Sequence, residues 1–90
     1  MAARNLVVLS PPSQAESPAE RVRRLQNEAR AIAREHVELL ASALADVSRL
    51  AAEIAEGGDI YPVGARELSR RLKEETGANA LTLTAILDRL

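Results

Sequence analysis

From Val22 onward the apolar positions recur at helical intervals: Val22, Leu25, Ala29, Ile32, His36, Leu40, Leu44, Val47, Ala51 and Ile54, spaced 3, 4, 3, 4, 4, 4, 3, 4 and 3. This is heptad-like at both ends with a stutter in the middle, and its mean near 3.6 predicts a nearly straight helix with little supercoil. Val37, Leu39, Ala43 and Leu50 widen the stripe, so more than one neighbouring helix is expected to touch it. The helix has a clear start. Ser17 can accept from the orphan amides of the first turn, Pro18 sits where a missing N–H costs nothing, and Glu20 can reach back to close a capping box. It also has a clear stop at Gly57-Gly58. The predicted helix over 17–56 would be roughly 60 Å long at 1.5 Å per residue. A helix of that length cannot hide its apolar face within a 90-residue monomer.

A second helix is expected from Pro62 or Val63, since Pro62 pushes Tyr61 toward extended geometry. Ala65, Leu68 and Leu72 open its apolar face, and Thr76, Asn79, Leu83, Ile86 and Leu90 continue it. Gly77 either breaks this helix or sits inside it at a cost of about 1 kcal/mol relative to Ala. The unbroken period favours one helix over 63–90. The fold class is therefore all-α, a long antiparallel helical hairpin. Leu40, Leu44, Val47, Leu68, Leu72 and Ile86 are its expected core, with Leu72 near Val47 and Ile86 near Ile32. The second helix is the shorter, so residues 17–28 should overhang. Val22, Leu25, Ala29 and Ile32 are then expected to serve a subunit interface, giving a homodimeric four-helix bundle or coiled coil. Residues 1–16 read as a flexible tail. It carries a breaker cluster at Ser10-Pro11-Pro12-Ser13 and a short apolar run, Leu6–Leu9, which either packs on the helices or docks as a strand on a partner.

Composition agrees with long helices. Apolar residues are 47% of the chain, mostly Ala and Leu, with no Phe, no Trp and one Tyr. Eleven Arg against one Lys, with seventeen Ala, suggests a bacterial source with a GC-rich genome. The net charge of −1 offers no bulk attraction to nucleic acid or an anionic membrane. Its distribution matters more: residues 36–59 carry five acids and one Arg, whereas residues 60–90 carry five bases and four acids. An antiparallel hairpin would set Arg66, Arg70, Arg71 and Lys73 beside Glu53 and Glu56. The absence of cysteine excludes disulfides and cysteine metal sites. No stretch approaches a membrane span, and Leu6–Leu9 is too short for a signal-peptide core, so a cytoplasmic location is expected.

Little in the chain suggests chemistry. His36, the single histidine, falls on the first stripe between Glu35 and Glu38, where a polar residue fixes register in a coiled-coil layer. Histidine-centred helical hairpins serve two-component signalling, but Arg34-Glu35-His36-Val37-Glu38 does not match the sequence they carry after the histidine. One histidine with scattered carboxylates has no metal-ligand spacing, so no metal or cofactor is expected. There is no nucleophile–base pattern and no glycine-rich phosphate loop, which argues against an enzyme. The arginines at 21–34 alternate with Glu20, Glu28 and Glu35 and read as a solvated face. Ala65–Leu72 and Thr82–Leu90 resemble the two helices of the helix-turn-helix in winged-helix repressors, although Leu72 to Thr82 is about one turn too long. The resemblance implies an alternative, a DNA-binding regulator using residues 65–90. Thr82 and Thr84 would then face DNA over a core of Leu68, Leu72, Ile86 and Leu90.

The chain is thus expected to be a non-enzymatic protein-interaction or oligomerisation module, a small regulatory adaptor or assembly factor that binds itself or another protein. Leu44→Ala is expected to lower stability by about 2–5 kcal/mol if Leu44 lies in a packed seam. An unchanged thermal melt would remove it from that seam.

Overall fold

The computed structural model describes residues 15–89, so the Leu6–Leu9 segment lies outside the described residues. Two helices dominate: α1, Pro18–Ala55, and α2, Val63–Asp88, joined through a short 3-10 turn at Gly58–Ile60. No strand occurs among the described residues. The chain divides into two compact units, 1–33 and 34–90, with α1 passing through the boundary.

In the first unit, the helix start forms as its residue types dictate. The Ser17 N–H donates to Glu20 Oε1 at 2.8 Å and the Glu20 N–H donates to Ser17 Oγ at 3.1 Å, so the capping box is closed in both directions. Every residue from Ser17 to Ala33 is exposed within the chain.

The second unit is an antiparallel hairpin of residues 34–55 and α2. Its turn depends on two glycines for different reasons. Gly58 adopts φ +82°, a left-handed conformation that costs an L-residue about 1–2 kcal/mol. Gly57 has ordinary φ, but a Cβ there would collide with the Tyr61 ring. The Tyr61 N–H closes the turn onto the Gly58 carbonyl at 3.1 Å. Pro62, extended at ψ 146°, caps α2, and its carbonyl accepts from the Arg66 N–H. Helix α2 then runs through Gly77 without a break.

The hairpin seam mixes small residues with a few larger ones. On α1 the shielded positions include Val37, Ala41, Leu44, Ser48, Ala51 and Ala55, spaced 4, 3, 4, 3 and 4. On α2 they include Arg66, Ser69, Lys73, Thr76, Ala80, Leu83 and Leu87, spaced 3, 4, 3, 4, 3 and 4. Both runs are strict heptad seams. The buried apolar residues are Ala41, Ala51, Ala80 and Leu87, with Ser69 buried beside them. The backbones come close enough for Ser48 Oγ to donate to the Lys73 carbonyl at 2.8 Å. A Cβ on Gly77 would stand 3.0 Å from that hydroxyl. Gly77 therefore buys close approach rather than a helix break.

This seam differs from the expected core. Of the six expected core residues only Leu44 lies on it; Leu40, Val47, Leu68, Leu72 and Ile86 are 36–53% exposed. The physical reason is separation: Ala, Ser and Gly let the helix axes approach, and larger side chains at those positions would hold them apart. The register is also shifted by about one turn, since Ser48 faces the Lys73–Gly77 stretch and Leu72 is not level with Val47. Among the described residues only one ion pair crosses the hairpin, Lys73–Glu56 at 3.4 Å. Arg70 pairs with Glu67, three residues away, and Arg66 donates to the Tyr61 carbonyl.

Ala51, 5% exposed, is the most deeply buried residue of the seam. Ala51→Leu is expected to destabilise the hairpin by about 1–3 kcal/mol through overpacking. The check is a lower urea midpoint at unchanged m-value.

Candidate interaction surface

Several of the residues just before the seam positions are large and apolar, with Glu75, Asn79 and Thr82 the polar ones on α2. Leu40, Val47 and Ile54 precede Ala41, Ser48 and Ala55, while Leu72, Asn79 and Ile86 precede Lys73, Ala80 and Leu87. In an antiparallel pair, positions offset by one residue in the same sense on both helices fall on the same side of the seam. One side of the hairpin thus carries Leu40, Val47, Leu72 and Ile86, widened by Leu50 and Leu68, and all six are at least a third exposed. Ile54 is half-buried at the turn end of this side. The opposite side is a shallow groove of about 370 Å³ floored by Ala41, Ala45, Ala80 and Leu87, with Arg34, Glu38 and Asp88 at its edge.

The first unit presents a separate apolar row. Val22, Leu25, Ala29 and Ile32, the expected subunit interface, are all exposed. The neighbouring arginines are partly neutralised locally. Arg24 binds Glu16 through Nε at 2.9 Å and through a second nitrogen at 3.1 Å, and reaches Glu28 at 3.4 Å. Arg30 donates to Asn27 Oδ1 at 3.4 Å. The hydrogen bond from Arg24 holds the Glu16 carboxyl below the usual carboxylate range and raises the Arg24 guanidinium, and Arg70 acts likewise on Glu67 in the hairpin.

The residues with potential chemistry are dispersed. His36 is exposed on α1. Among the described residues no three His, Asp or Glu side chains gather as a metal site. The helix-turn-helix arrangement is not formed, because α2 continues as one helix through the segment where a turn would be needed. Thr82 and Thr84 donate their hydroxyls to the Ala78 and Ala80 carbonyls of their own helix, at 3.0 and 2.9 Å. Among the described residues no helix is long and apolar enough to cross a membrane.

No family model, curated protein or solved structure matches this chain.

The apolar side could have been found from the sequence by following two rows on α1 instead of one. The small-residue row has an unbroken heptad spacing. The large-residue row, Leu40, Ala43, Val47, Leu50 and Ile54, is separately periodic at 3, 4, 3 and 4.

The carboxylates of Glu16 and Glu67 are depressed in the folded chain, so their contribution is complete at neutral pH and is lost as pH falls through the depressed values. Helicity by circular dichroism is expected to decline on acidification below the usual carboxylate range. Arg24→Ala should remove the part of that decline belonging to Glu16.

Proposed function

We propose that this chain is a non-enzymatic helical interaction module, a small cytoplasmic bacterial adaptor or assembly factor that works as a homodimer and engages other proteins through helix faces. One observation carries this reading: large apolar residues of both helices stand exposed beside a seam rich in small ones. Exposed apolar side chains scattered singly are ordinary, but a contiguous row on one side marks an association surface. The thin core supports the same reading. A hairpin whose buried apolar residues are three alanines and one leucine gains little from its own folding. Covering its larger side chains in a complex supplies what the isolated chain lacks. Val22, Leu25, Ala29 and Ile32 offer a further exposed row, suited to the same subunit interface or to a protein partner.

The test is the solution mass of the full chain by light scattering across a dilution series. The expected result is twice the 9.7 kDa chain mass, held into the low micromolar range. A monomer at all concentrations would overturn self-association.

A further inference from the structure

We infer that the apolar side of the hairpin is covered by a second copy of this chain in one particular arrangement, with the two-fold axis parallel to the helices, so that α1 packs against the partner's α2. This rests on the self-association proposed above and adds its face, orientation and register.

The area fits a second copy. Leu40, Val47, Leu50, Leu68, Leu72 and Ile86 together expose on the order of 500 Å², within the range of roughly 300–600 Å² of a monomer's largest patch, which is often functional. Two such patches, pressed together, remove about 1,000 Å², near the lower bound for a specific interface before the flanking residues are added.

Charge selects the orientation. A face-to-face two-fold dimer of hairpins has two solutions. An axis perpendicular to the helices lays α1 on the partner's α1. An axis parallel to them lays α1 on the partner's α2. Toward the turn, residues 51–58 carry Glu53 and Glu56 and no base, whereas residues 66–73 carry four bases and one acid. The first solution lays the net-acidic 36–55 stretch of α1 on its own copy, and the second sets the acidic 51–58 block against the partner's basic 66–73 block. Arg71 is exposed at the edge of this side and has no ion pair among the described residues. Glu53 lies on the corresponding edge of α1.

Symmetry then sets the register. Rotation about an axis parallel to the helices moves nothing along it, so residues level within one hairpin are also level across the dimer. Within the hairpin Ser48 is level with the Lys73–Gly77 stretch, and the seam spacings extend this to Ala41 with Leu83 and Ala55 with Ser69. The partner's Leu72 accordingly enters between Leu50 and Ile54, and the partner's Ile86 enters between His36 and Leu40. The partner's Asn79, the polar residue of its row, meets the small Ala43 beside Val47. Glu53 comes level with the partner's Arg71. The interdigitation uses rows already spaced for knobs-into-holes packing.

The chain has no cysteine, so engineered thiols report geometry cleanly. Leu50→Cys and Leu72→Cys chains, mixed and mildly oxidised, should form a covalent heterodimer. Ile54→Cys with Leu68→Cys provides a second pair if one variant fails to fold. Val47→Cys alone should not crosslink, because the two α1 helices lie on the diagonal. Arg71→Glu should weaken the dimer about threefold or more, and Glu53→Arg in the same chain should restore it. A covalent homodimer from Val47→Cys alone would overturn the arrangement in favour of α1 on α1. A native dimer that crosslinks through neither mixed pair would overturn the face while leaving self-association standing. A monomeric native chain would overturn both.

Discussion

The hydrogen bond from Ser48 to the Lys73 carbonyl marks the constraint on which the hairpin depends: two helix backbones held close by residues too small to keep them apart. Ser48 can reach a main-chain carbonyl across the seam because Ala51, Ala55, Ser69 and Gly77 admit that approach. Close approach favours dispersion contacts between backbone and Cβ atoms. It gives up the area that larger side chains would bury. Most of the large apolar side chains are displaced sideways, Leu44, Leu83 and Leu87 being the exceptions on the seam, and the character of the surface follows.

That displacement explains why the hairpin has a specific shape but a small core. A single core in a chain of this size rarely supplies more than about 3–5 kcal/mol, even when large residues fill it. Here Leu87 is the largest buried apolar residue. The exposed ion pairs on the helices, such as Arg49–Glu53 and Arg34–Glu38, add little each. Pairing with a second copy would join folding to association, and stability would then depend on protomer concentration.

Much of the local structure was legible in the residues. Ser17, Pro18 and Glu20 announce the capping box, Gly57-Gly58 ends α1, Pro62 opens α2, and the unbroken period across Gly77 correctly favours one helix. The packing face is less legible, because apolar size is a poor guide to burial in this seam. Ranking by size selects Leu40, Val47, Leu68, Leu72 and Ile86. The structure buries Ala41, Ala51 and Ala80, whose value lies in what they lack. The charge blocks predicted an antiparallel hairpin, which is present, but of the expected bridges only Lys73–Glu56 forms. Arginine finds acids at three and four residues on its own helix more readily than across a seam. The resemblance of residues 65–90 to a helix-turn-helix came from residue identities, while the helical period through Gly77 carried the geometry.

The turn has a kinetic meaning as well. Gly58 alone among the described glycines holds a positive φ, and Gly57 leaves space for the Tyr61 ring. Contacts nearest this turn, such as those around Ala55 and Ser69, join residues close in sequence, and each layer away from it joins residues farther apart. Loop-closure entropy rises slowly with that separation. The hairpin is thus arranged to zip from Gly58 outward, with low contact order and no slow element. Its folding would be fast, local and unimolecular, leaving any slow, concentration-dependent step to the meeting of two finished hairpins.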